Sequence, residues 1–146
     1  MTFEALAIDV IEAAEATGVE FVAVGAIAAG AYGLPWGRRH VGHSRSMPSS
    51  NVELVEIFDD PFVQSEFARR QKIFVPMLGR ATWLPTPGDV VVQKLRWGRS
   101  KDLDDARDVL AVQGTESLDM AYIENWCARH GTTDRLKAAL AGIPPL

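Results

Sequence analysis

The chain predicts an α+β domain with a small sheet and a helical C-terminal half. Three observations carry this. An amphipathic helical pattern opens the chain. Short β-branched and aromatic runs fill the middle. From residue 86 onward, capped helical patterns follow one another to the end.

The opening pattern covers residues 3–17. Phe3, Leu6, Val10 and Ile11 share one face, while Glu4, Asp9, Glu12 and Glu15 point elsewhere. Thr2 suits the cap and Gly18 the left-handed stop. "VEFVAVG", residues 19–25, reads as a buried strand ending in Gly25, and "AIAAGAYGL" as a small-residue helix stopped at Gly33. "NVELVEIF" alternates like a strand, and "DDPFVQSEFARR" reads as a helix with Asp60 as cap and Pro61 in its first turn. "KIFVP" and "RATWLP" are two strands across a turn at Leu78-Gly79.

"TPGDVVVQKLRWG" predicts a helix with Thr86 as cap, Pro87 first, and Asp89 at the capping-box position. "SKDLDDARDVLAVQG" predicts another, capped by Ser100 and closed by Gly114. "SLDMAYIENWCARHG" and "TTDRLKAALAG" complete the half. One domain over residues 1–146 is expected, with helix and sheet up to residue 84 and a helical subdomain from 85.

Composition narrows the function classes. The chain has 146 residues, about half of them apolar, and a net charge of −4. That balance argues against general nucleic-acid coating but leaves room for a local basic face. Cys127 is the one cysteine, so no disulfide framework exists, and a cytoplasmic setting is expected. No apolar run approaches membrane-span length, and the acidic start is unlike a signal peptide.

Three constellations can carry chemistry. Gly25 ends one predicted element and opens the next, where its backbone lets a phosphate approach closely; strand–glycine–helix junctions are common, so this alone says little. In "QKLRWGRSKDLDDARDVL", Lys94 and Arg96 end one helix while Lys101, Asp102 and Asp105 begin the next. Such a corner suits a triphosphate and a hydroxyl, although spacing alone favours a solvated helix start. His40 and His43 have zinc-compatible spacing, but zinc needs three or four protein ligands and no third is near in sequence. His130, at a helix end, has a place without any ligand role. Neither a P-loop nor a nucleophile elbow is present.

Taken together, "FVAVGAIAAGAYGLPWGRRHVG" resembles the opening of minimal nucleotidyltransferases of the polymerase-beta-like superfamily. "PTPGDVVVQKLRWGRSKDLDDARDVLAVQG" with "DMAYIENWCARHG" resembles the C-terminal half of AbiEii-type toxin nucleotidyltransferases and their relatives. The resemblance covers most of the chain. It implies the small sheet of the nucleotidyltransferase fold flanked by helices. It also implies nucleotide transfer from a nucleoside triphosphate to a hydroxyl of RNA or protein, with Mg²⁺ held by carboxylates.

On that resemblance, Arg39-His40-Val41-Gly42 falls where the family has Arg-Asp-hydrophobic-Asp. Both acids of the metal pair are replaced, by His40 and Gly42. Ala26 stands where many relatives have a serine, and Glu53 takes the place of the third carboxylate. A helix and a strand that relatives place between these points are replaced by "HSRSMPSS". The implied catalytic set is Glu53, Lys94, Asp102 and Asp105, and the implied phosphate or nucleotide set is Gly25, Ala26, Arg39, Arg96 and Lys101. Glu53 is a weak metal ligand and His40 a poor one for Mg²⁺. The expectation is a transferase of toxin–antitoxin type with impaired catalysis that keeps nucleotide or RNA binding; a cognate antitoxin is a candidate partner that the sequence does not decide. Alternatives are an active enzyme with an unusual metal site, needing Mg²⁺, and a non-catalytic dimeric interaction module. A shortened sheet leaves an open edge, which predicts a homodimer.

Overall fold

The computed structural model describes residues 2–33 and 60–144. The expected strand "NVELVEIF" and the segment holding Arg39, His40, Gly42, His43 and Glu53 lie outside the described residues. Among the described residues are seven helices and one two-stranded antiparallel sheet. The α+β class expected from the sequence is therefore present in its coarse form.

Helix α1 spans Phe3–Thr17. The Thr2 hydroxyl accepts from the Ala5 N–H at 3.1 Å, and Gly18, at φ +71°, turns its N–H back to the Ala14 and Glu15 carbonyls. Ala7 and Ile11 form its buried stripe. Residues 19–24 then depart from expectation, because they form no strand. One backbone bond joins them to a neighbour, from the Ala23 N–H to the Trp83 carbonyl at 2.8 Å, and Val19 is 59% exposed. A β-rich segment becomes a strand only where a neighbour pairs along it, and among the described residues a single bond to the hairpin does so.

Helix α2 spans Ala26–Tyr32 and α3 spans Pro61–Ala68. Ala28 and Ala29 are fully buried, so α2 lies close to its neighbours. The Tyr32 hydroxyl donates to the Pro85 carbonyl at 2.8 Å, and Gln113 Nε2 donates to the Tyr32 carbonyl at 2.9 Å. In α3, the Asp60 carboxylate accepts from the Phe62 and Val63 N–H groups, as predicted for a capped start. Strands β1 (Gln71–Val75) and β2 (Arg80–Leu84) pair from Gln71 opposite Leu84 to Val75 opposite Arg80. Arg80 reaches across to Glu12 and Glu15, tying α1 to the hairpin.

Helices α4 (Pro87–Trp97), α5 (Ser100–Gln113), α6 (Met120–His130) and α7 (Thr133–Ala141) make the C-terminal half. Helix α4 is its axis. Val91, Val92 and Leu95 are fully buried, and α5, α6 and α2 pack around it. Gly98, at φ +71°, ends α4, and Arg135 of α7 donates to the Leu95 carbonyl at 2.7 Å, satisfying one of the last carbonyls. The start of α5 differs by one residue from expectation. Arg99 is the cap, because the Asp102 carboxylate reaches back to the Arg99 N–H at 3.2 Å. A single apolar cluster runs from Ala7 and Ile11 through Phe62, Val75 and Leu84 to Leu136.

Candidate functional site

The site is built where α2, α3 and α4 meet. Gly25 precedes α2 at φ +70°, ψ −133°, a conformation that favours glycine, and the space where a side chain would stand is open. A cleft of about 10 Å³, the scale of one water molecule, is lined by Gly25, Glu66, Gln93, Lys94 and Trp97, with apolar walls. Gly25 and Lys94, far apart in sequence, thus share one cleft. Glu66 arrives from α3, and the other three come from successive turns of α4.

Behind the cleft, Lys94 is almost enclosed. Its side chain is 5% exposed, and Nζ lies 2.9 Å from Asp105 and 3.4 Å from Asp102. Arg99 adds a second cation, with Nε 2.6 Å from Asp102. Burial pulls the Lys94 ammonium below its ordinary value, and the Asp102 carboxylate opposes that pull. Burial alone would raise the Asp102 carboxyl; the Arg99 hydrogen bond and the Lys94 charge outweigh it and hold the group below the usual carboxylate range. Two cations and two carboxylates balance here, as a buried ion network must. The network joins the end of α4 to the start of α5. Lys101, at that same corner, is exposed and carries no ion pair among the described residues.

The structure divides the sequence-predicted residues. Lys94, Asp102 and Asp105 come together, and Gly25 joins them through the cleft. Arg96 does not: it turns to Asp60, 2.7 Å away, at the head of α3. Arg39, His40 and Glu53 fall outside the described residues. Among the described residues no group of three or more His, Cys, Asp and Glu is placed to hold a metal ion. Asp102 and Asp105, already engaged by Lys94 and Arg99, do not fit a Mg²⁺ site by themselves.

Sequence reasoning missed Glu66. It is 4% exposed, and its carboxylate makes no hydrogen bond or ion pair among the described residues. Burial, and then the charges of Asp89 and Asp60, push it up to about 8. The signal was present: Phe62 and Glu66 are four apart and share the buried face of α3. Gln93 was missed too; its Oε1 is buried and accepts no hydrogen bond.

A second buried acid, Asp89, is handled differently. It accepts from Thr86 Oγ1 at 2.7 Å, from Arg69 Nε at 3.3 Å and from the Tyr122 hydroxyl, while Ser65 meets that same hydroxyl at 2.9 Å. Burial and the Asp89 hydrogen bond push the Tyr122 phenol up to about 12, so it stays a donor. This cluster joins α3, α4 and α6. His130, which packs edge-on against Phe62 with centroids 5.4 Å apart, is pulled below its ordinary value by burial and by Arg96.

Compared with protein-family models, with curated proteins and with solved structures, the chain matches none. No helix among the described residues is long and apolar enough to cross a membrane.

Proposed function

We propose that this chain is a nucleotide-binding protein of the nucleotidyltransferase type, related to the toxin–antitoxin transferases, with impaired transfer chemistry. The observation that supports it best is the meeting of Gly25 and Lys94 at one cleft. A glycine backbone open to approach and a fixed ammonium are what a phosphate group needs from two separate elements. Lys101, exposed and without an ion pair among the described residues, adds a second cation at the corner.

Impairment follows from the sequence. His40 and Gly42 offer no carboxylate where the resemblance implies two, and removing preorganised charge stabilisation costs about 10²–10³-fold in rate per group. Lys94 also arrives already neutralised by Asp102 and Asp105, so the site attracts phosphate weakly. In this reading the two acids hold Lys94 in place, whereas Arg96 is held by Asp60. No metal-dependent step is assigned. RNA, as a carrier of phosphate ends, and a cognate antitoxin belong to this reading as partners.

The test is isothermal titration of the full chain with each nucleoside triphosphate, in Mg²⁺ and then in EDTA. Binding that survives EDTA is expected. Binding that requires Mg²⁺ would instead indicate a working metal site around Glu53, to be followed by labelled-nucleotide transfer with Glu53→Ala as control. No binding of any nucleotide sinks the reading.

A second reading, a non-catalytic dimeric module, draws on the hairpin. Strand β1 pairs on one side among the described residues, and its Phe74 is 61% exposed. A monomeric mass by light scattering at micromolar concentration would count against it.

A further inference from the structure

The corner between α4 and α5 is built against its own local preference. A helix N-terminus is the positive end of the backbone dipole, so carboxylates are favoured there and cations are not. Helix α5 nevertheless opens with Arg99 as its cap and Lys101 in its first turn. Asp102 accounts for Arg99, whose Nε it meets at 2.6 Å. No carboxylate among the described residues accounts for Lys101, which is exposed and has no ion pair there. At the end of α4, Trp97 is 42% exposed, with Lys94 5.4 Å and Arg99 5.8 Å from its ring centroid. A lone exposed aromatic needs no explanation, but this one stands among cations.

Arg135 completes the corner from α7. Its Nη1 donates to the Leu95 carbonyl at 2.7 Å and to the Arg96 carbonyl at 3.3 Å. Gly98 makes the room, because a Cβ there would run into the Arg135 guanidinium. One nitrogen thus anchors the group, and no carboxylate pairs with it among the described residues. Charge also separates by depth here. The Arg99 side chain is 60% exposed and its partner Asp102 is fully buried, with Asp105 nearly so. Asp60, held by Arg96, and Asp134, next to Arg135 in sequence, are the acids at the margin. A chain of net charge −4 therefore shows a cationic face at this corner.

We propose that this corner binds a single-stranded nucleic acid, with one base stacked on Trp97 and the flanking phosphates on Arg99, Lys101 and Arg135. A strand supplies both things that the corner calls for: an aromatic face for the indole, and anions for cations whose carboxylates are buried or absent. Lys101 then gains the negative partner that offsets its place at a helix start. A duplex keeps its bases stacked on one another, and an acidic peptide brings charge without a ring. Stacking and phosphate contacts read neither base sequence nor the 2′-hydroxyl, so RNA and DNA strands bind alike. The proposal rests on the reading above for the kind of partner and gives that partner a surface; no group of the strand enters the cleft.

The test is fluorescence anisotropy of labelled oligouridine and oligothymidine, about ten nucleotides long, with the full chain in EDTA across a salt series. Both strands are expected to bind alike, and a duplex of the same length about fivefold or more weakly. Trp97→Ala should weaken strand binding about tenfold, and Trp97→Phe, which keeps a ring, should recover most of it. Lys101→Ala should lower the slope of log affinity against log salt by about 0.7, and it serves where circular dichroism shows Trp97→Ala misfolded. Lys72→Ala, on the hairpin, should leave that slope unchanged. No binding of either strand, indifference to Trp97→Ala in a folded variant, a duplex bound as tightly, or polyglutamate competing as well as a strand overturns the inference. Strands bound by a chain that binds no nucleoside triphosphate keep this surface and sink the cleft reading. Triphosphates bound without strands do the reverse.

Discussion

Two groups of side chains that meet at the cleft handle buried polar atoms in opposite ways. On one side Lys94, Arg99, Asp102 and Asp105 are mutually paired, with every cation beside a carboxylate. On the other, Glu66 is buried and makes no hydrogen bond or ion pair among the described residues, and Gln93 Oε1 is buried without a donor. Folded proteins satisfy their buried polar groups, so the first side reads as architecture. An unmet pair at a cleft is where function is sought. The difference also sets opposite pH responses. Asp102, held low, contributes stability that is present above its unfolded value and is lost as pH falls through its folded value. Glu66, raised, contributes stability that is complete below the unfolded value of 4.5 and is lost as pH rises through about 8.

Substitutions can break this comparison, and the largest effect belongs to the paired side. Lys94→Met leaves Asp102 and Asp105 short of a cation and should cost about 3–5 kcal/mol in urea denaturation at pH 7. A loss below about 1 kcal/mol would mean the network is not structural. Glu66→Gln comes next, with the opposite sign. It should stabilise the fold by roughly 2–4 kcal/mol at pH 9 and by almost nothing at pH 5. Thermal melts at the two pH values check this; equal shifts at both would remove Glu66 as a raised carboxyl.

Smaller effects sharpen the contrast. Tyr122→Phe removes one of three side-chain donors to Asp89 and should cost about 1–2 kcal/mol. The remaining donors, Thr86 and Arg69, limit the loss. Asp60→Ala loses the α3 cap and the partner of Arg96, for about 1 kcal/mol. Both are measured by urea denaturation. A loss at Asp60 larger than that at Lys94 would reverse the order on which the comparison depends.

How much of this was legible in the sequence depends on how local each cause is. The start of α4 was legible because Thr86, Pro87 and Asp89 act within one turn. The hairpin was legible for the same reason: its turn at Leu78-Gly79 sits between two short β-rich runs. The expected strand over residues 19–25 does not form, and strand pairing is a tertiary matter: among the described residues Ala23 bonds to Trp83 and no ladder follows. The cap of α5 moved from Ser100 to Arg99 because a carboxylate three residues on outcompeted a serine preference.

In the site, the order Lys94, Asp102, Asp105 was visible, and the structure joins them. That Arg96 would leave the group was also derivable, since residues two apart on a helix do not face each other. Glu66 was hidden by its neighbours. It sits among ordinary surface-type residues in "VQSEFARR", and only its spacing from Phe62 places it inside.

The most direct test of nucleotide binding at the Gly25–Lys94 cleft is an amide and indole NMR titration of the full chain with ATP in EDTA. The account predicts saturable shifts at Gly25, Ala26, Gln93 and the Trp97 indole, while a second groove, between α1 and the hairpin and lined by Glu12, Glu15, Lys72 and Arg80, stays unmoved. Saturable shifts confined to that groove, or no saturable shift anywhere, would contradict it.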